Sequence, residues 1–182
     1  MRFFFSNLRP ANLILLVHGI PEWCLISYGV SRPTGVLTGD ACATTLREDG
    51  TYWIAGGLGG FGLQVAGWLI ERGAKHLVLS GRSQALRPEA QQAIDAWRAV
   101  GIRVEHMPAD ITRLNEVRRV VDKIDAELPP LRGVFHTAMV LQDKLLIDLD
   151  RKTLEDVLRP KMLGGWNLHQ TTLGRELDMF VL

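Results

Sequence analysis

Residues 56–62 read Gly56-Gly57-Leu58-Gly59-Gly60-Phe61-Gly62, directly after an apolar, β-prone segment and directly before a helical pattern. Glycines at such a junction let the backbone turn tightly and approach a pyrophosphate closely, and the helix start presents unpaired N–H groups to it. The run fits the dinucleotide-binding pattern GxGxxG through Gly57, Gly59 and Gly62. It equally fits GxxxGxG through Gly56, Gly60 and Gly62, and the spacing does not choose between the two.

Extended and helical patterns alternate along the rest of the chain. Strands are predicted at 51–55, 76–80, 102–106, 133–138 and 178–182, and helices at 61–72, 88–100, 114–128 and 153–173. This alternation predicts an α/β fold of the Rossmann type, a doubly wound parallel sheet of strand order 3-2-1-4-5. We expect the sheet to be incomplete at its C-terminal side, with 178–182 an unpaired apolar edge.

The composition limits the classes of function. The chain has 182 residues and a formal net charge of +1, which favours neither a nucleic-acid surface nor a polybasic membrane patch. Residues 1–45 show no regular period and stay an unassigned segment or linker, whereas 46–182 form the predicted domain. The apolar run 13–17 is too short to span a membrane. Cys24 and Cys42 lack metal-ligand spacing, so we expect no metal and a cytoplasmic location.

The residue after the second strand bears on the choice of cofactor. Dinucleotide folds that bind NAD place an acidic residue about 20 positions beyond the glycines, where it contacts the ribose 2′-hydroxyl. Arg82 occupies that place here, followed by Ser83. A guanidinium pairs with a 2′-phosphate that a carboxylate would repel, and the serine hydroxyl adds a hydrogen bond. The sequence therefore favours NADPH over NADH.

Several stretches together resemble one family. They are GTYWIAGGLGGFG at 50–62, ERGAKHLVLSGR at 71–82, PADIT at 108–112, LPPLRGVFH at 128–136 and RPKMLGGWNLH at 159–169. This combination is similar to the ketoreductase domain of modular type I polyketide synthases and animal-type fatty acid synthases, within the short-chain dehydrogenase/reductase superfamily. Met139 stands where the family often has glycine, and Leu141-Gln142-Asp143 replaces a Leu-Asp-Asp triplet, which leaves the stereochemical class open.

The resemblance assigns roles to individual residues. It implies that Lys161, as a buried ammonium beside the nicotinamide ribose, is the lysine of a catalytic tetrad. It implies that Asp110 contacts the adenine. The expected cofactor contacts are Gly56, Gly57, Leu58, Gly59, Gly60, Phe61, Gly62, Arg82, Ser83, Asp110, Ile111, Thr137, Ala138 and Met139. The family's serine and tyrosine would follow Leu182, so we expect the chain to be inactive alone.

The resemblance also implies a function. A β-ketoacyl reductase of this kind uses NADPH to reduce the β-keto group of an acyl chain on an acyl carrier protein, in polyketide or fatty acid biosynthesis. The carrier protein, its acyl chain and other synthase domains would then be the partners, without nucleic acid or membrane. The alternative is a non-catalytic NADP-binding or structural module.

Overall fold

The structure is a computed structural model of the chain. It describes residues 46–182 in full and, before them, the backbone of two strands at 12–16 and 25–28. Cys24 and Cys42 lie outside the described residues. None of the helices in the described part is long and apolar enough to cross a membrane.

Seven strands and five α-helices follow one another along the described chain. The strands are β1 Asn12–Leu16, β2 Leu25–Tyr28, β3 Thr51–Ala55, β4 His76–Ser80, β5 Arg103–His106, β6 Leu131–His136 and β7 Met179–Val181. The helices are α1 Gly60–Glu71, α2 Pro88–Ala99, α3 Leu114–Glu127, α4 Arg151–Arg159 and α5 Gly165–Thr172. A π-helical turn, Pro160–Gly164, joins α4 to α5, and a 3₁₀ turn, Leu146–Asp148, precedes α4. Proline lacks a backbone N–H, so the i→i−4 ladder cannot run unbroken through Pro160.

The sheet has the order β2-β1-β7-β6-β3-β4-β5, and every neighbouring pair is parallel except β1 with β2. The five strands from β3 to β7 correspond to the five that the sequence predicts. Counted from β3, their order is 3-2-1-4-5, which confirms the predicted topology. Helices on both faces make the sheet doubly wound.

The expectation of an unpaired edge at residues 178–182 was wrong. The strand β7 pairs in parallel with β1, with Leu13 opposite Phe180 and Ile14 opposite Val181. Extended backbone from the otherwise unassigned N-terminal segment thus satisfies the outer N–H and C=O groups of β7. The apolar run at 13–17 overlaps this strand, but residues 1–45 carry no regular alternation that would have predicted its pairing with β7.

The central strand β3 is buried on both faces and contributes to two separate hydrophobic clusters. Tyr52 and Ile54 face the layer that contains α1 and α2, and Trp53 and Ala55 face the layer that contains α3 and α5. Alternate side chains of a strand point to opposite faces, so one continuous apolar run supports both layers.

The register of the sheet brings four strand ends to one edge. Ala55 pairs with Ser80 on one side and His136 on the other, and Leu79 pairs with His106. The loops that follow β3, β4, β5 and β6 therefore leave from the same carboxyl edge. The chain winds away from the β3–β6 junction in opposite directions, which opens a crevice where α/β sheets bind ligands.

Candidate functional site

A cavity of about 820 Å³ lies at this carboxyl edge, lined by the loops after β3 to β6 and by the end of α4. Its size falls within the usual range for ligand sites, roughly 300–1,000 Å³. Every predicted cofactor residue except Gly57 lines it: Gly56, Leu58, Gly59, Gly60, Phe61, Gly62, Arg82, Ser83, Asp110, Ile111, Thr137, Ala138 and Met139. A smaller cavity of about 320 Å³, beside Pro130 and Arg175, contains none of them.

The glycine-rich turn is anchored to the end of the neighbouring strand. The carbonyl oxygen of Ser80 accepts hydrogen bonds from the amides of Gly56 (2.7 Å) and Gly57 (3.2 Å). The amide of Gly59 then donates to the Gly56 carbonyl at 3.1 Å, which closes the turn just before α1 begins. The turn is therefore fixed by its own backbone, and its path does not depend on a ligand.

The glycines of the turn divide into two groups by what a side chain would meet. A Cβ on Gly56 or Gly62 would overlap backbone atoms, and one on Gly57 would lie 2.8 Å from Leu79 and 2.9 Å from the Ile54 carbonyl. A Cβ on Gly59 would meet only the Gly56 carbonyl, at 3.4 Å, and one on Gly60 would meet nothing within 4 Å. The first group is needed by the fold, whereas Gly59 and Gly60 face open space.

This geometry favours the pattern GxxxGxG over GxGxxG. Gly56 is the residue of the turn with a positive φ, +92°, a backbone conformation that residues other than glycine rarely adopt. Gly57 lies beneath the turn against the sheet and away from the cavity, so it is the predicted contact that the structure does not bring to the site.

The loop after β4 carries three polar side chains to the cavity. Arg82 is exposed, and no residue in 46–182 holds its guanidinium in a hydrogen bond or ion pair. The hydroxyl of Ser83 donates to the Ala85 carbonyl at 2.7 Å, so its single proton is already engaged. Arg87 was not predicted: its Nη2 donates to the carbonyl of Leu58 at 2.9 Å and ties this loop to the glycine turn.

Asp110 follows β5 and closes a local turn. Its Oδ1 accepts from the amide (2.9 Å) and the hydroxyl (2.7 Å) of Thr112, and its own amide donates to Glu116 at 2.7 Å. Burial acts to raise the pKa of this carboxyl. The Thr112 hydrogen bonds and the charges of Arg82 and Arg113 outweigh burial, so the pKa lies below its ordinary value. Asp110 therefore stays charged at neutral pH.

The chain leaves β6 through Thr137, Ala138 and Met139. The amide and hydroxyl of Thr137 both donate to the carbonyl of Ala55, at 2.8 and 3.1 Å. Ala138 passes directly against Gly56, which explains why the turn tolerates no side chain there. Met139 is half exposed at the cavity wall.

Lys161 lies on the π-helical turn, next to the cavity residues Arg159 and Pro160. Lys161 is exposed among the described residues, so the buried ammonium beside a nicotinamide ribose that the resemblance implies stays a prediction. An unpaired charge is costly to bury, and no residue in the fully described range pairs with this one. Partial removal of water by the surrounding protein nevertheless lowers the pKa of Lys161.

The cavity is electropositive. Four arginines and two aspartates line it: Arg82, Arg87, Arg113, Arg159, Asp110 and Asp156. An excess of positive charge suits a ligand that carries several phosphates. Among residues 46–182 no cluster of His, Cys, Asp or Glu is placed to hold a metal ion.

Comparison with known proteins identifies the family. The sequence profile of the KR domain matches residues 50–182. The chain belongs to the KR domain family. The match covers the glycine turn, Arg82, Asp110, Thr137–Met139 and Lys161.

Relatives of this KR domain include large fungal synthases. It is 39% identical over 137 residues to a highly reducing polyketide synthase of Leptosphaeria maculans, across 75% of this chain and 5% of that protein. It is 37% identical over 161 residues to one of Hypocrea jecorina, across 87% of this chain and 6% of that protein. The chain thus spans a small part of the proteins it matches.

Solved structures agree with this assignment. A ketoreductase from the macrolactin assembly line superposes with a TM-score of 0.70 at 31% identity, over 76% of this chain and 28% of that one. An A-type ketoreductase from a modular polyketide synthase gives 0.65 at 34% identity, over 72% and 28%. These ketoreductases share the Rossmann-type fold of the KR domain described here.

Some cavity residues escaped the sequence analysis: Gly81, Arg87, Ala109, Thr112, Arg113, Val140, Gln142, Asp156, Arg159 and Pro160. Most of them are neighbours in the chain of a predicted cofactor residue, and this proximity was the only sequence signal that could have identified them. Arg87 and Asp156 reach the KR cavity from a helix start and a helix interior, and only the fold brings them there.

Proposed function

We propose that residues 50–182 are the NADPH-binding part of a β-ketoacyl reductase and that the 820 Å³ cavity is its cofactor site. One observation carries the proposal. The two glycines with open space beside them, Gly59 and Gly60, stand at the start of α1 in the same cavity as the unpaired Arg82. A pyrophosphate and a 2′-phosphate require such features together.

The glycine turn suits the pyrophosphate. The α1 helix is 12 residues long, and the amide of its first residue, Gly60, has no partner within the helix. Its dipole also places partial positive charge at Gly60. Because no Cβ stands on Gly59 or Gly60, a phosphate can approach the backbone here and reach the amide of Gly60, whereas the amide of Gly59 donates to the Gly56 carbonyl.

The adenosine side suits a phosphorylated ribose. Arg82 is free to form a forked pair with a 2′-phosphate. The Oδ2 of Asp110 takes no part in the turn with Thr112 and lies 4.0 Å from the Nε of Arg113. This oxygen is available to accept a hydrogen bond from the adenine amino group. Ser83 is a weaker candidate than the sequence suggested, because it would have to release Ala85 to donate to the phosphate.

NADPH, when bound, supplies the hydride for reduction of a ketone. Thr137, Ala138 and Met139 would form the wall beside the nicotinamide, held there by the Ala55 carbonyl. Lys161 would reach the nicotinamide ribose from the π-helical turn and, as a cation, lower the pKa of a neighbouring acid. Its exposure in this structure leaves the side chain free to do so.

The relatives support the choice of substrate class and partners. They are polyketide synthases, and the matched solved domains are ketoreductases from assembly lines. By extension, the substrate here is the β-keto group of an acyl chain on an acyl carrier protein. Other synthase domains would be partners, in the cytoplasm.

Fluorescence titration of the purified chain with NADPH and NADH tests the proposal. We expect NADPH to bind more tightly, and 2′,5′-ADP, which carries the 2′-phosphate without the nicotinamide, to compete with it. Equal affinities for the two dinucleotides, or an absence of binding, would overturn the assignment.

The competing hypothesis is a module that binds NADPH without catalysis. The coding sequence downstream of codon 182 in the transcript distinguishes it from a reductase. An in-frame continuation past codon 182 that encodes a serine-bearing strand and a YxxxN helix supports the reductase. A different continuation favours the binding module.

A further inference from the structure

His136, the last residue of β6, links the sheet to the π-helical turn. Its side chain is buried, with 4% of the residue exposed, and its Nε2 lies 2.9 Å from the carbonyl oxygen of Pro160. A carbonyl only accepts hydrogen bonds, so Nε2 carries the proton and donates it. The other ring nitrogen, Nδ1, is then bare, and it is buried without a partner among the fully described residues.

The π-helical turn packs against Ile111 and His136 at this point. A Cβ on Gly164 would lie 2.6 Å from the Cδ1 of Ile111 and 3.5 Å from the Nε2 of His136. A Cβ on Gly165 would lie 3.8 Å from the same imidazole ring. The missing side chain of Gly164 therefore lets the turn pack against Ile111, and the imidazole of His136 provides a polar contact between the end of β6 and the turn.

The imidazole of His136 is neutral over the physiological pH range, so it can donate the same hydrogen bond to Pro160 throughout that range. Burial lowers the pKa of the imidazole most, the Pro160 hydrogen bond acts to raise it, and the positive charge of Lys161 adds to the lowering, which together leave the pKa at about 4. The ring is neutral at physiological pH and keeps its single proton on Nε2.

We propose that His136 is a positioning residue for Lys161, because its hydrogen bond to Pro160 fixes the backbone from which Lys161 projects. No residue in 46–182 holds the Lys161 ammonium, so the place of its backbone decides where the ammonium can reach. The inference rests on the proposed function, in which Lys161 contacts the nicotinamide ribose.

Two polar substitutions separate the two ring nitrogens. In His136→Gln the side-chain amide nitrogen can occupy the place of Nε2 and donate to Pro160, whereas in His136→Asn it can occupy only that of Nδ1. Two ligands separate positioning from folding, because NADPH carries the nicotinamide ribose and 2′,5′-ADP does not. Circular dichroism and thermal unfolding accompany each variant.

We expect His136→Asn to weaken NADPH binding by about threefold to tenfold, the effect of one hydrogen bond. Binding of 2′,5′-ADP should stay unchanged, and His136→Gln should restore the NADPH affinity to within about twofold. Lys161→Ala alters an exposed side chain and should give the same selective loss, and His136→Asn should add nothing to it.

If His136→Asn weakens the binding of NADPH and of 2′,5′-ADP equally, His136 has a purely structural role and the positioning role is refuted. An unchanged NADPH affinity in His136→Asn or Lys161→Ala would also overturn it. If the histidine variants do not fold, Lys161→Ala is the remaining test. A loss of affinity for both ligands in that variant, or no loss of NADPH affinity, would remove the basis of the inference. Failure of the wild-type chain to bind 2′,5′-ADP would instead refute the proposed cofactor site.

Discussion

The amide nitrogen of Gly56 lies 2.7 Å from the carbonyl oxygen of Ser80, so the first residue of the glycine turn is bonded to the last residue of β4. The side chain of the same serine accepts from the buried indole of Trp53 at 2.8 Å. Ser80 thus connects the turn to both central strands. Because Gly81 and Arg82 follow it directly, Ser80 holds the backbone at both proposed phosphate sites, the glycine turn and the start of the loop after β4.

Ser80→Ala tests this connection through stability. The variant leaves the Trp53 N–H buried without an acceptor, which we expect to lower the free energy of unfolding by about 1–3 kcal/mol. Ser83→Ala is the matched control, since it removes an exposed loop hydroxyl and should cost less than about 0.5 kcal/mol. Urea denaturation measures both. Similar small losses would mean that the Trp53–Ser80 bond contributes little.

Substitutions in the glycine turn should separate binding from folding. Gly59 has extended backbone angles (φ −80°, ψ 161°) and open space, so Gly59→Val should fold and yet block the pyrophosphate, with loss of NADPH binding. Gly62→Ala should instead destabilise the fold by about 1–3 kcal/mol, because its Cβ would overlap the backbone of Gly56 and Gly57. Thermal unfolding and NADPH titration distinguish the two. Retained NADPH affinity in Gly59→Val would assign the turn a structural role only.

Arg82→Ala tests the choice of cofactor. Loss of a charge-assisted contact with the 2′-phosphate, worth roughly 1.5–3 kcal/mol, should weaken NADPH binding about tenfold or more and leave NADH binding unchanged. Lys75→Ala removes an exposed positive charge beside the amino end of β4, at the opposite edge of the sheet, and should alter neither affinity. Equal losses for NADPH and NADH in Arg82→Ala would show that Arg82 does not read the 2′-phosphate.

His136 should make the domain sensitive to acid. Its folded pKa of about 4 lies below the ordinary 6.5, so below pH 6.5 the unfolded chain takes up a proton that the folded chain does not. Stability is therefore complete above pH 6.5 and declines as the pH falls towards 4. At pH 5 the loss from this group amounts to about 2 kcal/mol. Urea denaturation at pH 7 and pH 5 should show a smaller decline in His136→Gln than in the wild type. An identical decline would place the acid sensitivity elsewhere.

The sequence predicted the features that depend on local pattern. The alternation of strands and helices gave β3 to β7 and their order, and the glycine turn and Arg82 could be placed because they directly follow strands. What it missed depends on contacts between distant segments. Arg87 reaches Leu58 only after the β4–α2 loop folds over the turn, and the π-helical turn that carries Lys161 interrupts a segment that the sequence predicted as one helix.

The pairing of β1 with β7 was also beyond the sequence pattern, and it supports a final prediction. With Asn12–Leu16 in place, the outer side of β7 is covered, and the edge of the sheet passes to β2. Removal of residues 1–45 would expose the backbone of Met179–Val181, whose side chains are apolar and buried in the whole chain. Exposed apolar edges recruit other strands, so the shortened protein should self-associate as its concentration rises, as measured by light scattering after gel filtration. NADPH binding is the internal control, because the cavity is built from residues 56–160 and should survive the deletion. A shortened chain that binds NADPH and stays monomeric would show that β1 does not protect this edge.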